Sequence, residues 1–193
     1  MSAYDQAREI LQRTDSDAVL RSQPTDDWRG EYPLPPAVAA YYAELGPDDL
    51  SIPGYGNGYF LPSLANLWAH QAGYRTHGHT GVRLPEWDED WLVVGDEGGD
   101  PFIFSRERGL VLRARHGEGG WRPEELFRNL AEMVTAFAIL GEIVATAGES
   151  LTDEDCLIQA RYLEEARQRL TPITSSPERA AAILAALGWE AFG

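Results

Sequence analysis

The stretch "WLVVGDEGGDPFIF", Trp91 to Phe104, places two apolar runs on either side of an acidic, glycine-rich turn. A tight reversal between paired strands needs positive φ, which glycine adopts without steric penalty, so Gly98 and Gly99 predict a hairpin. Pro101 cannot donate a ladder hydrogen bond and is expected to start its strand or face an edge. Downstream, "GLVLRARHG" reads as a third strand, with Val111, Arg113 and Arg115 on one face and Leu110, Leu112 and Ala114 on the other. Upstream, "SI" and "GYFL" are short strand candidates around the turn Gly54-Tyr55-Gly56-Asn57-Gly58.

Helical spacing flanks these strands. Ala3, Ala7, Ile10 and Leu11 predict a first helix. Pro35 and Pro36 suit the first turn of a second, with Val38, Tyr41, Tyr42 and Leu45 on one side and a stop near Gly46-Pro47. Ser63 can cap a helix bearing Leu64, Leu67 and Trp68. From Pro123 the period turns helical, and Leu126, Leu130, Met133, Phe137, Leu140 and Val144 predict one long helix with a break at Gly141. Thr152 and Asp155 resemble a cap for a helix that buries Cys156, Ala160, Leu163, Ala166 and Leu170. Ser176-Pro177 opens a last helix that Gly188 closes. Strands cluster in the middle and do not alternate with helices, so the fold class is α+β: a small antiparallel sheet flanked by helices. The expected organisation is a domain over residues 1–147 and a C-terminal helical extension over 148–193.

Composition narrows the function classes. The chain has 193 residues, 44% hydrophobic and 24% charged, which is enough to bury a core. The N-terminus lacks the basic start and apolar run of a signal peptide, and the run Ala136–Gly148 contains Glu142 and is shorter than a bilayer span, so a cytoplasmic location is expected. Net charge is −15 and every cationic side chain other than histidine is arginine. Nucleic acid and anionic membrane are thereby disfavoured as partners, and a basic protein is favoured.

Between Leu84 and Asp100 stand Glu86, Asp88, Glu89, Asp90, Asp96, Glu97 and Asp100, with no basic residue among them. Two readings compete: a partner-binding patch, or pairing with Arg106, Arg108, Arg113, Arg115 and Arg122 across the sheet. Calcium is rejected, because "GDEGGD" lacks the alternating ligands and distal glutamate of an EF-hand loop. His77 and His79 supply two metal ligands where a catalytic zinc takes three, so a solvated loop is the simpler reading. Cys156 is read as a small core residue, and "GYGNG" lacks the ending of a phosphate loop. No metal and no cofactor are expected. Trp28, Trp87, Trp91 and Trp121 read as core and hairpin packing.

The segments "LPPAVAAYYAELG", "GNGYFLPSL", "WLVVGDEGGDPFIFS", "GLVLRARHG" and "RPEELFRNLAEMV", in this order, resemble the SUKH superfamily, over about Trp28 to Met133. That superfamily includes a fungal cell-wall-assembly regulator and many bacterial immunity proteins. Two departures stand out: Pro101 directly after Gly-Gly-Asp, and the extension beyond Ala136. The resemblance implies a non-enzymatic module that neutralises a polymorphic toxin, often a nuclease, by direct binding. The residues expected to meet such a basic toxin domain are Asp88, Glu89, Asp90, Asp96, Glu97 and Asp100, with Trp87, Tyr55 and Tyr59 as apolar anchors. The alternative is a regulatory scaffold or homo-oligomer that acts through the C-terminal helices; a metal-dependent enzyme built on His77 and His79 ranks last.

Overall fold

A computed structural model describes residues 2–117 and 120–189. It is an α+β fold whose strands follow one another as an antiparallel meander. The strands are β1 (Leu50–Ile52), β2 (Tyr59–Leu61), β3 (Trp91–Glu97), β4 (Asp100–Ser105), β5 (Val111–Arg113) and β6 (Glu124–Phe127), adjacent in chain order. The helices are α1 (Asp5–Thr14), α2 (Pro36–Glu44), the single turn α3 (Leu64–Leu67), α4 (Leu130–Ala147), α5 (Ala160–Thr174) and α6 (Pro177–Ala186).

Strand alternation divides the side chains between two faces. Leu92, Val94, Phe102, Phe104, Val111 and Phe127 join the main core with α4, where Tyr59 stacks on Phe137 at 4.3 Å between ring centroids. Val93, Ile103, Leu112 and Ala114 point the other way, under Trp87, Tyr74 and Trp121. An irregularity between Val93 and Gly95 shifts the β3–β4 register. Only Tyr59 and Phe60 of β2 pair with β3, and the Gln71 side chain takes over further along. Its amide accepts from Val93 N–H and donates to Val93 O, both at 2.9 Å, as a neighbouring strand would.

The core does not stop at residue 147. Leu163, Ala166 and Leu170 of α5 and Ile183 and Leu184 of α6 belong to the same buried cluster as the sheet. Glu132 of α4 takes Arg128 at 3.2 Å and Arg179 of α6 at 3.3 Å, and Arg179 also donates to Leu126 O of β6. The C-terminal helices therefore dock on α4 and the sheet edge. With its continuation to Leu151, α4 is long and apolar enough to cross a membrane, yet 72% of its most apolar window is buried inside the protein.

Three local expectations are corrected. The long helix does not start at Pro123: Glu124–Phe127 is strand β6, paired with β5, and the helix begins at Leu130 under an Asn129 cap that accepts from Glu132 N–H at 2.8 Å. Cys156 is exposed in a loop, with φ of 63°, and α5 begins only at Ala160, itself exposed. The Asp153 carboxylate holds that loop by accepting from Asp155 and Leu157 N–H, bonds that compete with helix initiation. Finally, α4 runs unbroken through Gly141. A Cβ there would lie 2.4 Å from Ile52 Cγ2 and 3.2 Å from Pro53 O, so glycine permits close approach of β1.

Gly141→Ala should therefore lower unfolding stability by about 1–3 kcal/mol despite the higher helix propensity of alanine. Glu132→Gln should cost about 3 kcal/mol, because it leaves two arginines without their carboxylate. Urea denaturation of both variants measures these losses.

Candidate functional site

The turn at Gly98-Gly99 reverses the chain as the sequence predicts. Both glycines have positive φ, 60° and 97°, and Glu97 pairs with Asp100 across the two-residue loop. Pro101 sits near the start of β4, where its carbonyl accepts from Ala114 N–H just past the last β4–β5 pair.

The hairpin's carboxylates fall into two groups at opposite ends of β3, about 20 Å apart at the rise of an extended strand. At its N-terminal end, Asp88 is exposed and accepts from Asp90 N–H at 2.9 Å. Glu89 pairs with Arg75 at 2.5 Å and also with Arg83. Asp90 accepts from Ser105 Oγ at 2.5 Å and Glu107 N–H at 2.6 Å. Arg106 donates to the Glu89 and Asp90 carbonyls and lies over the Tyr32 ring at 4.0 Å. Trp87 is 2% exposed and packs edge-on against Trp91 and Trp121, so it belongs to the second-face core and is not an outward anchor.

At the other end, Asp96 meets His70 Nε2 at 3.2 Å and accepts from Gly99 N–H. Burial pushes its carboxyl up, but the neighbouring His70 imidazole and the Gly99 N–H outweigh burial and hold it below its ordinary value. Glu97 is buried and pairs with Arg113 at 2.6 Å. Asp100 reaches Arg113 at 3.5 Å and His116 Nδ1 at 2.6 Å. Tyr59 is fully buried and cannot serve as an anchor. Tyr55 is half-buried, and its hydroxyl donates to Cys156 O at 2.7 Å, which ties the β1–β2 turn to the loop before α5.

No family model, curated protein or solved structure matches this chain. Of the expected patch, only Asp88 keeps a carboxylate free of side-chain partners among the described residues. Arg113 was anticipated as an internal partner; Arg108 pairs with Glu125 instead, at 2.7 Å. Arg75 and Arg83 come from a segment without periodicity, which hides them as partners; His70, which the sequence offers only as a candidate metal ligand beside the acidic cluster, sits in the turn after α3 and takes Asp96. Among the many other exposed carboxylates, Glu86, Glu154 and Asp155 accept no hydrogen bond from the described side chains, and Asp153 accepts only from the main chain. His77 and His79 lie on an exposed loop with ring centroids 6.0 Å apart. Among the described residues, no group of three or more His, Cys, Asp or Glu side chains is placed to hold a metal ion.

Burial raises the Glu97 carboxyl to about 7, against the pull of Arg113. Since an unfolded glutamate titrates near its ordinary value, the native state holds an extra proton between the two. The Glu97 contribution to stability is therefore greatest at the acidic side of this window and is lost as pH rises through about 7. Glu97→Gln removes that slope. Relative to the variant, the natural chain should lose about 2 kcal/mol between weakly acidic and weakly alkaline pH in urea denaturation; parallel curves would remove the assignment.

Proposed function

We propose that this chain is a cytoplasmic, non-enzymatic protein-binding module of the SUKH type that neutralises a basic, nuclease-type toxin domain by covering it. The order of elements supports the reading: a proline-started helix, a short hairpin, the β3–β4 hairpin, a further strand and a long closing helix succeed one another as in that superfamily's pattern. One observation carries most of its weight. Most arginines are paired within the chain, many of them at its surface, with carboxylates such as Glu89, Glu97, Glu132 and Glu142 or with main-chain carbonyls, as with Arg8 and Arg29. The chain's net charge of −15 is thus expressed by carboxylates that face water.

The contact surface differs from the one expected from sequence alone. Asp153, Glu154 and Asp155 stand exposed beside Tyr55, and Glu86 and Asp88 stand exposed on the loop before β3. Such carboxylates raise the association rate with a cationic surface and favour it over other partners. The scaffold alternative has less to act through, since the apolar sides of α5 and α6 are spent on the core.

The test is binding to the cationic domain encoded beside this gene, at low and at high salt. Association should be fast at low salt and weaken at high salt. Joint replacement of Asp153, Glu154 and Asp155 by their amides should slow association about 10-fold while dissociation changes little. Absence of binding at low salt would overturn the proposal.

A further inference from the structure

One cleft runs against the charge of the whole molecule. It has a volume of about 430 Å³ and is walled by Arg113, Arg115 and Arg122, by Glu124 and Glu125, and by the end of α6. Its construction follows from strand geometry. Arg113 lies on the α4 side of β5, as its pairing with Phe102 requires, and Arg115 follows two residues later. The chain returns antiparallel with Arg122 just ahead of β6, and Glu124 comes opposite Arg113.

The three guanidiniums are in different states. Arg113 is fixed by Glu97 and Asp100, while its buried Nε has no partner. Arg115 and Arg122 are exposed, and among the described residues neither has a carboxylate or carbonyl partner. Elsewhere in the chain nearly every arginine is paired or donates to the main chain, and Arg161 lies over the Tyr162 ring. On the wall, Glu125 is taken by Arg108 and leaves Glu124 as the one acid there without an ion pair among the described residues. A chain with carboxylates in excess thus sets together, in a single concavity, two arginines that no described carboxylate neutralises. Neighbouring like charges repel, and a bound anion relieves that repulsion.

We infer that this cleft binds a small molecule bearing oxyanions, a phosphate ester or a polycarboxylate, with Arg115 and Arg122 as its clamp. The guanidinium fork matches both carboxylate and phosphate oxygens in paired hydrogen bonds. The volume lies within the range of small-molecule sites. Long polyanions are disfavoured, since the remaining surface repels them. Glu124 sets the selectivity: beside the clamp it accepts from a ligand hydroxyl and opposes excess negative charge on that side.

Calorimetric titration and thermal melting of the full chain, with pyrophosphate and citrate as probes and sodium chloride at matched ionic strength, test the inference. Saturable binding with a raised Tm is expected for at least one probe and not for chloride. A preference for pyrophosphate assigns the phosphate class, and a preference for citrate the carboxylate class. Arg115→Gln/Arg122→Gln should weaken that binding at least ~10-fold, whereas Arg161→Gln, outside the cleft, should leave it unchanged. Both clamp residues are exposed, so circular dichroism and melting without ligand should match the natural chain. Failure of both probes to saturate, an equal effect of chloride, or unchanged binding in the double variant would overturn the inference.

Discussion

Helix α4 and its two carboxylates, Glu132 and Glu142, hold the structure together. Glu142 takes Arg13 of α1 at 2.6 Å and also Arg169 of α5, so one side chain pins helices from the two ends of the chain. The Arg13 hydrogen bond foremost, with Arg169 adding, holds its carboxyl below the ordinary value against the cost of burial. Glu132, almost wholly buried, takes Arg128 and Arg179, while Arg128 reaches on to Ile173 O and Arg179 to Leu126 O. Packing of the apolar sides of α5 and α6 restricts their orientation on α4, and the ion pairs narrow it further. Charge-assisted hydrogen bonds with fixed partners add that selectivity: their net gain over apolar replacements is small, but the loss of one partner is costly.

Elements governed by local geometry were legible in the sequence. Gly98-Gly99 demanded a tight turn, Pro36 opened α2, and Ser176 capped α6, accepting from Arg179 N–H at 3.2 Å. Glu124–Phe127 was not legible. Its residues share the helical spacing of α4 and stand behind a proline, but β5 offers a free edge, and pairing of Leu112 with Glu125 overrides local preference. Gly141 misled for a related reason. A glycine within a helical pattern suggests a break, and only the tertiary approach of Ile52 and Pro53 shows why it is needed.

The acidic residues were legible as a set of positions but not as a surface. Glu89 and Glu97 are eight positions apart in sequence, yet β3 carries them to opposite ends of the sheet and to different arginines. Nothing in "GYRTHGHTGVR" marks Arg75 and Arg83 as clamps for Glu89, because that pairing depends on where a loop without periodicity folds back. Tyr55 and Tyr59 looked equivalent on either side of a glycine turn. The strand register buries one against Phe137 and leaves the other at the rim.

The same allocation of arginine explains why two surfaces of opposite sign coexist on a strongly acidic chain. Arginines paired with other carboxylates leave Asp88 and Asp153–Asp155 without a counter-charge among the described residues, so those loops stay negative. Arg115 and Arg122 stand outside that allocation among the described residues: they lie beyond the last β5–β6 ladder pair, where His116 and not Arg115 takes Asp100. Arg113, two residues earlier, is still within reach and is captured by Glu97 and Asp100. The end of the β5–β6 ladder thus separates a guanidinium that stabilises the hairpin from two that have no ion-pair partner among the described residues.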